Sequence, residues 1–489
     1  MTTSVRVLSD EQIAQVHERT LGILERVGVR VDTERGRRIL EGAGAVVDEG
    51  TRIVRFPRAL VEESFRLAPR RFTLGGRRPG WAFPMNDGEC TLTADGGAVH
   101  VYDAATETRR PGTYEDWLAA TRLIDAIDEV GVYWGMVDYG TSGDGPGDAV
   151  RYWRLAFTEF SRHVQDAALD VAQARWLPEV LQVLFGDRET IRDLRPFSFL
   201  LCPHSPLVIE EQYTDAYLET VGWGIPLAVM PMPLMGLTSP AGLAATIVVG
   251  NAEVLATLCL AQAADPGTPF IYAPALAVMD PRNGRYGGGA AEHALLGAAV
   301  TEMARSYGLP VEASAGGTDH HVPGIQAAYE RALNWSLPAL AWPDLLVGPG
   351  LLGGATTLSL EQLIIDVEAF RRCRRMREGI APMSDDVEAI VAAAGPGGAF
   401  LDAPSSRDAL RAGEWYVSRM GVHDSFDRWE EGGRRGLLEE AREAIATALA
   451  SRVPLALDEG VDRELRRLEA RAGGDAGRSS AGPSGGSAT

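Results

Sequence analysis

Residues 308–330 read GLPVEASAGGTDHHVPGIQAAYE. The apolar run 310–314 predicts a short buried strand. The pair Gly316-Gly317 and the polar Thr318-Asp319-His320-His321 predict a loop, and the residues beyond it a helix. That is one βα unit. In a closed barrel of parallel strands, the loop after each strand's C-terminal end faces the active site. The loop offers three titratable side chains, Asp319, His320 and His321, as candidate catalytic groups. Its glycines let a ligand approach the backbone closely. Adjacent histidines cannot share one metal as an i,i+4 helical pair does. A structural reading stands beside the catalytic one: Thr318 or Asp319 caps the following helix, whose start Pro323 favours.

Outward from this unit, short apolar runs alternate with helical patterns. They fall at 132–137, 164–167, 197–202, 227–230, 270–273, 311–314 and 345–347, with an eighth near 356–360. Such alternation predicts a parallel sheet of βα units. Seven or eight of them within about 250 residues fit a closed (β/α)8 TIM barrel. No GxGxxG follows the early strands, which counts against a dinucleotide-binding sheet. The chain is therefore expected to be α/β, with an N-terminal α/β extension at 1–126 and the barrel at 127–380. A C-terminal helical region at 381–470 and a disordered tail at 471–489 complete it. Ser9 and Gln12 form a capping-box pattern ahead of the first helix.

Composition narrows the chemistry. The net charge of −20 provides no basic stripe for nucleic acid and disfavours an anionic membrane surface. All 47 basic residues are arginine. Schiff-base and P-loop lysine mechanisms are thereby excluded. The cysteines, Cys90, Cys202, Cys259 and Cys373, form no CxxC pair. Their scarcity and the absence of a signal-peptide pattern at residues 1–8 point to the cytoplasm. No uninterrupted apolar run reaches the ~18 residues of a membrane span.

Candidate site residues cluster where the strands end. Trp134, Tyr139, Gln165, His204 and Tyr272 are candidates for binding substrate, because aromatic faces hold quaternary ammonium cations well. Met232 and Met235 lie in a soft apolar stretch suited to a large hydrophobic cofactor. Cys202 and His204 supply two possible zinc ligands, but no third is identifiable, and no metal is expected. Tyr286 and the glycines after it read as an ordinary loop or as a lid.

Several longer stretches carry a family resemblance: ILEGAGAVVDEGTRIVRFPRALVEESFRLAPRRFTLGGR (39–77), RRPGTYEDW (109–117), NAEVLATLCLAQ (251–262) and GPGLLGGATTLSLEQLIIDVE (348–368). Together the chain resembles the trimethylamine methyltransferase family, including its glycine betaine methyltransferases that lack pyrrolysine. The resemblance implies a TIM barrel that moves a methyl group from a methylated amine to the corrinoid (cobalamin) of a partner protein. The corrinoid would not be held tightly by this chain. A quaternary, betaine-like substrate is implied, since no pyrrolysine is present. Gln326 and Glu330 match the family and join the substrate-binding candidates. Gly316, Gly317 and Gly350 join the methionines on the cofactor side. The family tends to carry Ser-Lys and a downstream acid where this chain has His320-His321 and Gly324, so substrate or acceptor can differ. Two other readings stand: a corrinoid-independent barrel enzyme passing methyl to a folate or small molecule, and a non-enzymatic betaine-binding protein. A homo-oligomer is expected from barrel size.

Overall fold

The computed structural model describes residues 3–139, 145–383 and 386–479. Eight short parallel strands form its centre. They are β1 (Thr91–Thr93), β2 (Val130–Tyr133), β3 (His163–Asp166), β4 (Phe197–Leu201), β5 (Leu227–Val229), β6 (Phe270–Tyr272), β7 (Glu312–Ser314) and β8 (Leu345–Val347). Pairing runs β6-β5-β4-β3-β2-β1-β8-β7. A bridge between Tyr272 and Val311 brings β6 to β7 and nearly closes the ring. At least one helix follows every strand, so the expected barrel is present.

Two expectations change. The eighth barrel strand is not near 356–360. Thr357–Leu358 instead pairs with Leu351–Leu352 and with His100–Asp103, in a four-stranded sheet outside the ring. The missing strand is β1, between β2 and β8, inside the stretch expected to be an N-terminal extension. Thr91-Leu92-Thr93 holds one apolar residue, so no apolar run marks it. The tail differs too: residues 471–479 continue the helix Glu459–Ser479, and 480–489 lie outside the described residues. Leu465, Leu468 and Ala472 are buried, at spacings that keep one helical face on the barrel past residue 470.

Period-2 alternation sorts the strand residues. Val132, Leu200, Ala228, Ile271 and Leu345 point into the ring. Tyr133, Phe199, Leu227, Phe270 and Tyr272 point out toward the helices. The N-terminal end of the ring is plugged by the hairpin Phe72–Gly75 and Ala82–Met85, whose Phe72, Leu74 and Met85 join the inward cluster. The opening is therefore at the C-terminal end, where the long loops gather.

Outside the ring, the capping box at Ser9 and Gln12 starts the helix Asp10–Arg26, which packs on Leu243–Ala264. That second helix is long and apolar enough to cross a bilayer. Here it is buried in protein, and Glu253 within it accepts from Ser205 Oγ at 2.8 Å and from Leu207 N–H at 2.7 Å.

One carboxylate fastens the plug. Asp344, fully buried, accepts from Asn86 N–H at 2.8 Å and from Val311 N–H at 2.7 Å, and pairs with Arg305 at 2.9 Å. Its removal leaves two backbone donors and a guanidinium without their acceptor. Asp344→Ala is expected to lower unfolding free energy by about 3–5 kcal/mol, measured by urea denaturation.

Candidate active site

A cavity of about 400 Å³ occupies the C-terminal mouth of the ring. Its wall is built from the first residues beyond several strands. Asp95 and Gly96 follow β1, Trp134 follows β2, Met230 and Met232 follow β5, and Gly316 to Thr318 follow β7. Tyr286 and His293 enter from the β6 side, and Arg331 from the helix Ile325–Ala341. The half-buried indole of Trp134 lies against Gly96, where a Cβ would come within 2.5 Å of the ring. Gly316 has φ +67°, and a Cβ there would strike Trp335 Nε1 at 2.2 Å. Only glycine fits that turn, so its role is to seat the loop as well as to line the cavity.

The electrostatics are sparse. Burial pushes the Asp95 carboxyl up to about 6, while Arg331 and the Gly96 N–H pull it down. Burial holds His293 down at about 4, so it is neutral near pH 7. Arg331 donates Nε–H to Asp366 at 2.8 Å and further N–H groups to the Leu351 and Gly348 carbonyls, both at 2.6 Å. The cavity therefore presents one carboxylate, one guanidinium already paired with an acid, one neutral imidazole, the rings of Trp134 and Tyr286, and two thioethers.

Below this wall the interior stays polar for one more layer. Glu312 pairs in register with Leu345, and Ser314 with Val347. Ser314 and Val347 line the cavity, so Glu312 lies one pleat beneath it. Gln165 donates from Nε2 to Glu312 Oε2 at 2.8 Å. Burial pushes Glu312 up to about 8. Cys202, the next inward residue after Leu200, is open to water yet has its thiol pushed up to about 12 by enclosure and by Glu312 and Glu210.

The sequence candidates divide accordingly. Trp134, Met232, Gly316 and Gly317 line the mouth cavity, and Gln165 lies beneath it. Tyr139 lies behind the indole, in a second cavity of about 310 Å³ shared with Tyr152 and Asp166. Tyr272 does not join them: its ring faces outward and its hydroxyl donates to Asn251 Oδ1 at 3.0 Å. A residue on the outward pleat cannot reach the barrel axis. His204 is exposed and stands 3.6 Å from Glu210. Met235 pairs through its backbone with Val278 and packs on the core, leaving its neighbour Leu234 at the wall. Gly350 gives its N–H to Asp366 at 2.8 Å and sits against Leu363.

The 318–330 loop is largely a brace. Glu330 accepts from Thr318 Oγ1 at 2.5 Å, from Asp319 N–H at 3.0 Å and from Gln326 Nε2 at 2.8 Å. Asp319 accepts from Gly288 N–H at 2.8 Å, tying this loop to the one after β6. His320 bonds through Nδ1 to the Val322 carbonyl at 2.7 Å, and His321 is exposed beside Gly353. Neither imidazole is part of the mouth-cavity lining. Among the described residues, no three His, Cys, Asp or Glu side chains converge on a metal position.

Sequence reading missed Asp95, Glu312, Arg331 and His293. The signals were present for two of them. Asp95-Gly96-Gly97 after β1 repeats the glycine pair after β7, and Glu312 is a lone acid in an apolar strand.

Comparison with known proteins agrees along nearly the whole chain. A trimethylamine methyltransferase MttB of Desulfitobacterium hafniense is 28% identical over 466 residues, covering 94% of this chain and 92% of that protein. A glycine betaine methyltransferase of the same species is 28% identical over 479 residues, covering 96% and 98%. The crystal structure of the Methanosarcina barkeri monomethylamine methyltransferase MtmB shares the fold at TM-score 0.50 and 10% identity, covering 89% and 92%. A hydroxylamine complex of MtmB gives TM-score 0.51 at 11% identity, covering 94% and 92%. The family model for trimethylamine methyltransferase (MTTB) matches residues 1–474, and this chain belongs to that family.

Proposed function

We propose that this methyltransferase removes a methyl group from a quaternary, betaine-like amine and passes it to the corrinoid of a partner protein. The observation that carries the substrate reading is the mouth cavity, where the Trp134 and Tyr286 rings and the Asp95 carboxylate line one space. Aromatic faces and a carboxylate attract an alkylammonium, more strongly once water is excluded. Arg331 on the same wall suits the carboxylate end of a zwitterion.

A neutral tertiary amine is a poor methyl donor, because breaking its C–N bond expels an amide anion. A quaternary nitrogen leaves as a neutral amine. The chain then needs to supply no nucleophile, which agrees with a site that offers no lysine and a thiol held protonated. The methyl-accepting nucleophile is supplied by the partner's corrinoid. Met232 and Leu237, both exposed, provide an apolar rim against which such a group can rest. Trp134 orients the cation, Asp95 neutralises it, and the apolar wall keeps water from the reacting carbon.

Direct transfer to a folate and simple betaine binding are not favoured by the relatives. Four free cysteines suit the cytoplasm, where we place the enzyme. The exposed stripe Ile325, Tyr329 and Leu333 suits burial in a homo-oligomer.

Two tests follow. Titration calorimetry with glycine betaine is expected to give saturable binding, weakened by Trp134→Ala by about 0.5–2 kcal/mol. Asp95→Asn is expected to raise KM for a methylated ammonium at least about tenfold, with free cob(I)alamin as acceptor. Binding unchanged in both variants would remove the cavity from the reading. His320→Ala and His321→Ala are expected to keep kcat/KM within about threefold of wild type, since neither ring lines the cavity. A loss of a hundredfold or more would restore the histidines as catalytic groups.

A further inference from the structure

The proposed reaction makes no use of the second cavity, which has a volume of about 310 Å³. It shares the Trp134 indole with the mouth cavity. Tyr139, Tyr152 and Trp153 also line it. The rings of Tyr139 and Tyr152 lie 24° from parallel, with centroids 6.5 Å apart. Both are held from outside the cavity. Tyr114 and Trp117 pack on Tyr139 at 5.6 and 5.5 Å between centroids. Trp117 donates Nε1–H to the Tyr133 hydroxyl at 3.0 Å, and that hydroxyl bonds to the Tyr152 hydroxyl at 2.9 Å. The walls are fixed before any ligand arrives, which spares the ligand the cost of ordering them. The volume falls at the low end of small-molecule sites, about 300–1,000 Å³.

The charge offered by this space is of one sign. Asp138 and Asp166 line it, and no arginine or histidine does so among the described residues. Asp166 Oδ2 accepts from Trp153 Nε1–H at 3.1 Å, and the Ala167 N–H also bonds its carboxyl. Both donors are neutral. Burial pushes the Asp166 carboxyl up to about 7, and no cationic side chain pulls it back down among the described residues. A buried carboxylate is costly until a counter-charge reaches it. An ammonium resting on the surrounding ring faces would supply one. A zwitterion would instead bring its own carboxylate toward Asp138 and Asp166, with no guanidinium to receive it. The mouth cavity differs in that respect, because Arg331 lines it.

We propose that the cavity behind Trp134, walled by Tyr139, Tyr152 and Trp153 around Asp166, is a second ammonium site that takes a small methylated cation bearing no carboxylate. It is separate from the mouth cavity and does not depend on what the mouth cavity binds. The two spaces sort ligands by charge. A zwitterion is received where a carboxylate and a guanidinium share one wall, and a simple cation where only carboxylates and rings are present. A simple cation therefore binds this chain without displacing a zwitterion from the mouth.

Tetramethylammonium is the probe, because it carries a permanent charge and no carboxylate. Titration calorimetry of the full chain at pH 8 is expected to show saturable binding that persists in saturating glycine betaine. Asp166→Asn is expected to weaken tetramethylammonium at least about tenfold while glycine betaine affinity stays within about twofold. Ala149→Leu, on the helix Pro146–Glu159 that borders the cavity, fills the space and is expected to have the same two effects. Melting curves check that both variants fold. The pH dependence has a fixed sign. Asp166 is held above its ordinary carboxylate value, so a proton occupies it at pH 6 and competes with the cation. Wild-type affinity is expected to rise about tenfold between pH 6 and pH 8, and that of Asp166→Asn to stay flat. The other titratable groups at this cavity are Asp138, Tyr139 and Tyr152, with Tyr133 behind Tyr152. Burial raises the Tyr133 and Tyr152 hydroxyls above their ordinary value, so both stay neutral over this range. Asp138 and Tyr139 are present in both proteins, so the difference reports Asp166. No tetramethylammonium binding, a single site from which glycine betaine displaces it, or wild-type affinity in both variants overturns the proposal. If glycine betaine itself does not bind, the substrate reading falls, and the tetramethylammonium titrations with the two variants still decide the second site.

Discussion

A nearly closed ring of parallel strands forces alternate residues of every strand into one shared interior, and everything about the site follows from what fills it. The plug end is filled by Phe72, Leu74 and Met85 against Val132, Leu200 and Ile271. One pleat below the mouth the filling becomes polar, with Gln165 bonded to Glu312. Side chains there cannot turn away to solvent. Their charges must be neutralised by protons or by one another, which is why burial raises Asp95 and Glu312 together. The site's electrostatics are a consequence of the fold's geometry.

The same constraint explains the loops. The 318–330 segment carries enough titratable groups to look catalytic, yet most of them bind its own backbone or the neighbouring loop. Glu330 gathers Thr318, Asp319 and Gln326, and Asp319 reaches across to Gly288. A loop at a barrel mouth must satisfy its backbone donors somewhere. These acids do so, and Gly316, Gly317 and Thr318 are thereby held at the cavity wall. Proximity to the mouth in sequence therefore did not mean facing the cavity.

The barrel was legible because seven of its strands are apolar runs bounded by turn residues. The eighth was not, since Thr91–Thr93 pairs on both sides through its backbone while offering only Leu92 to the outer core. Trp134 and Gln165 were legible because they sit on the inward pleat at strand ends. Tyr272 shows the limit of that reasoning. It is at a strand end too, but on the other pleat, and a three-residue strand gives too few alternations for the sequence to fix which side is which. Asp95 and Arg331 were hidden for another reason. They meet only because β1 and the helix after β7 both border β8, a neighbourhood that depends on closing the ring.

Charge accounting through the reaction ties these parts together. On the proposed reading, the cavity holds a cation against Asp95 before transfer. Transfer of the methyl group removes the positive charge from the substrate without removing the negative charge from the wall. In an apolar cavity that imbalance is unfavourable, because a lone carboxylate has lost both water and counter-ion. Exchange of the neutral amine for the next cationic substrate relieves that imbalance.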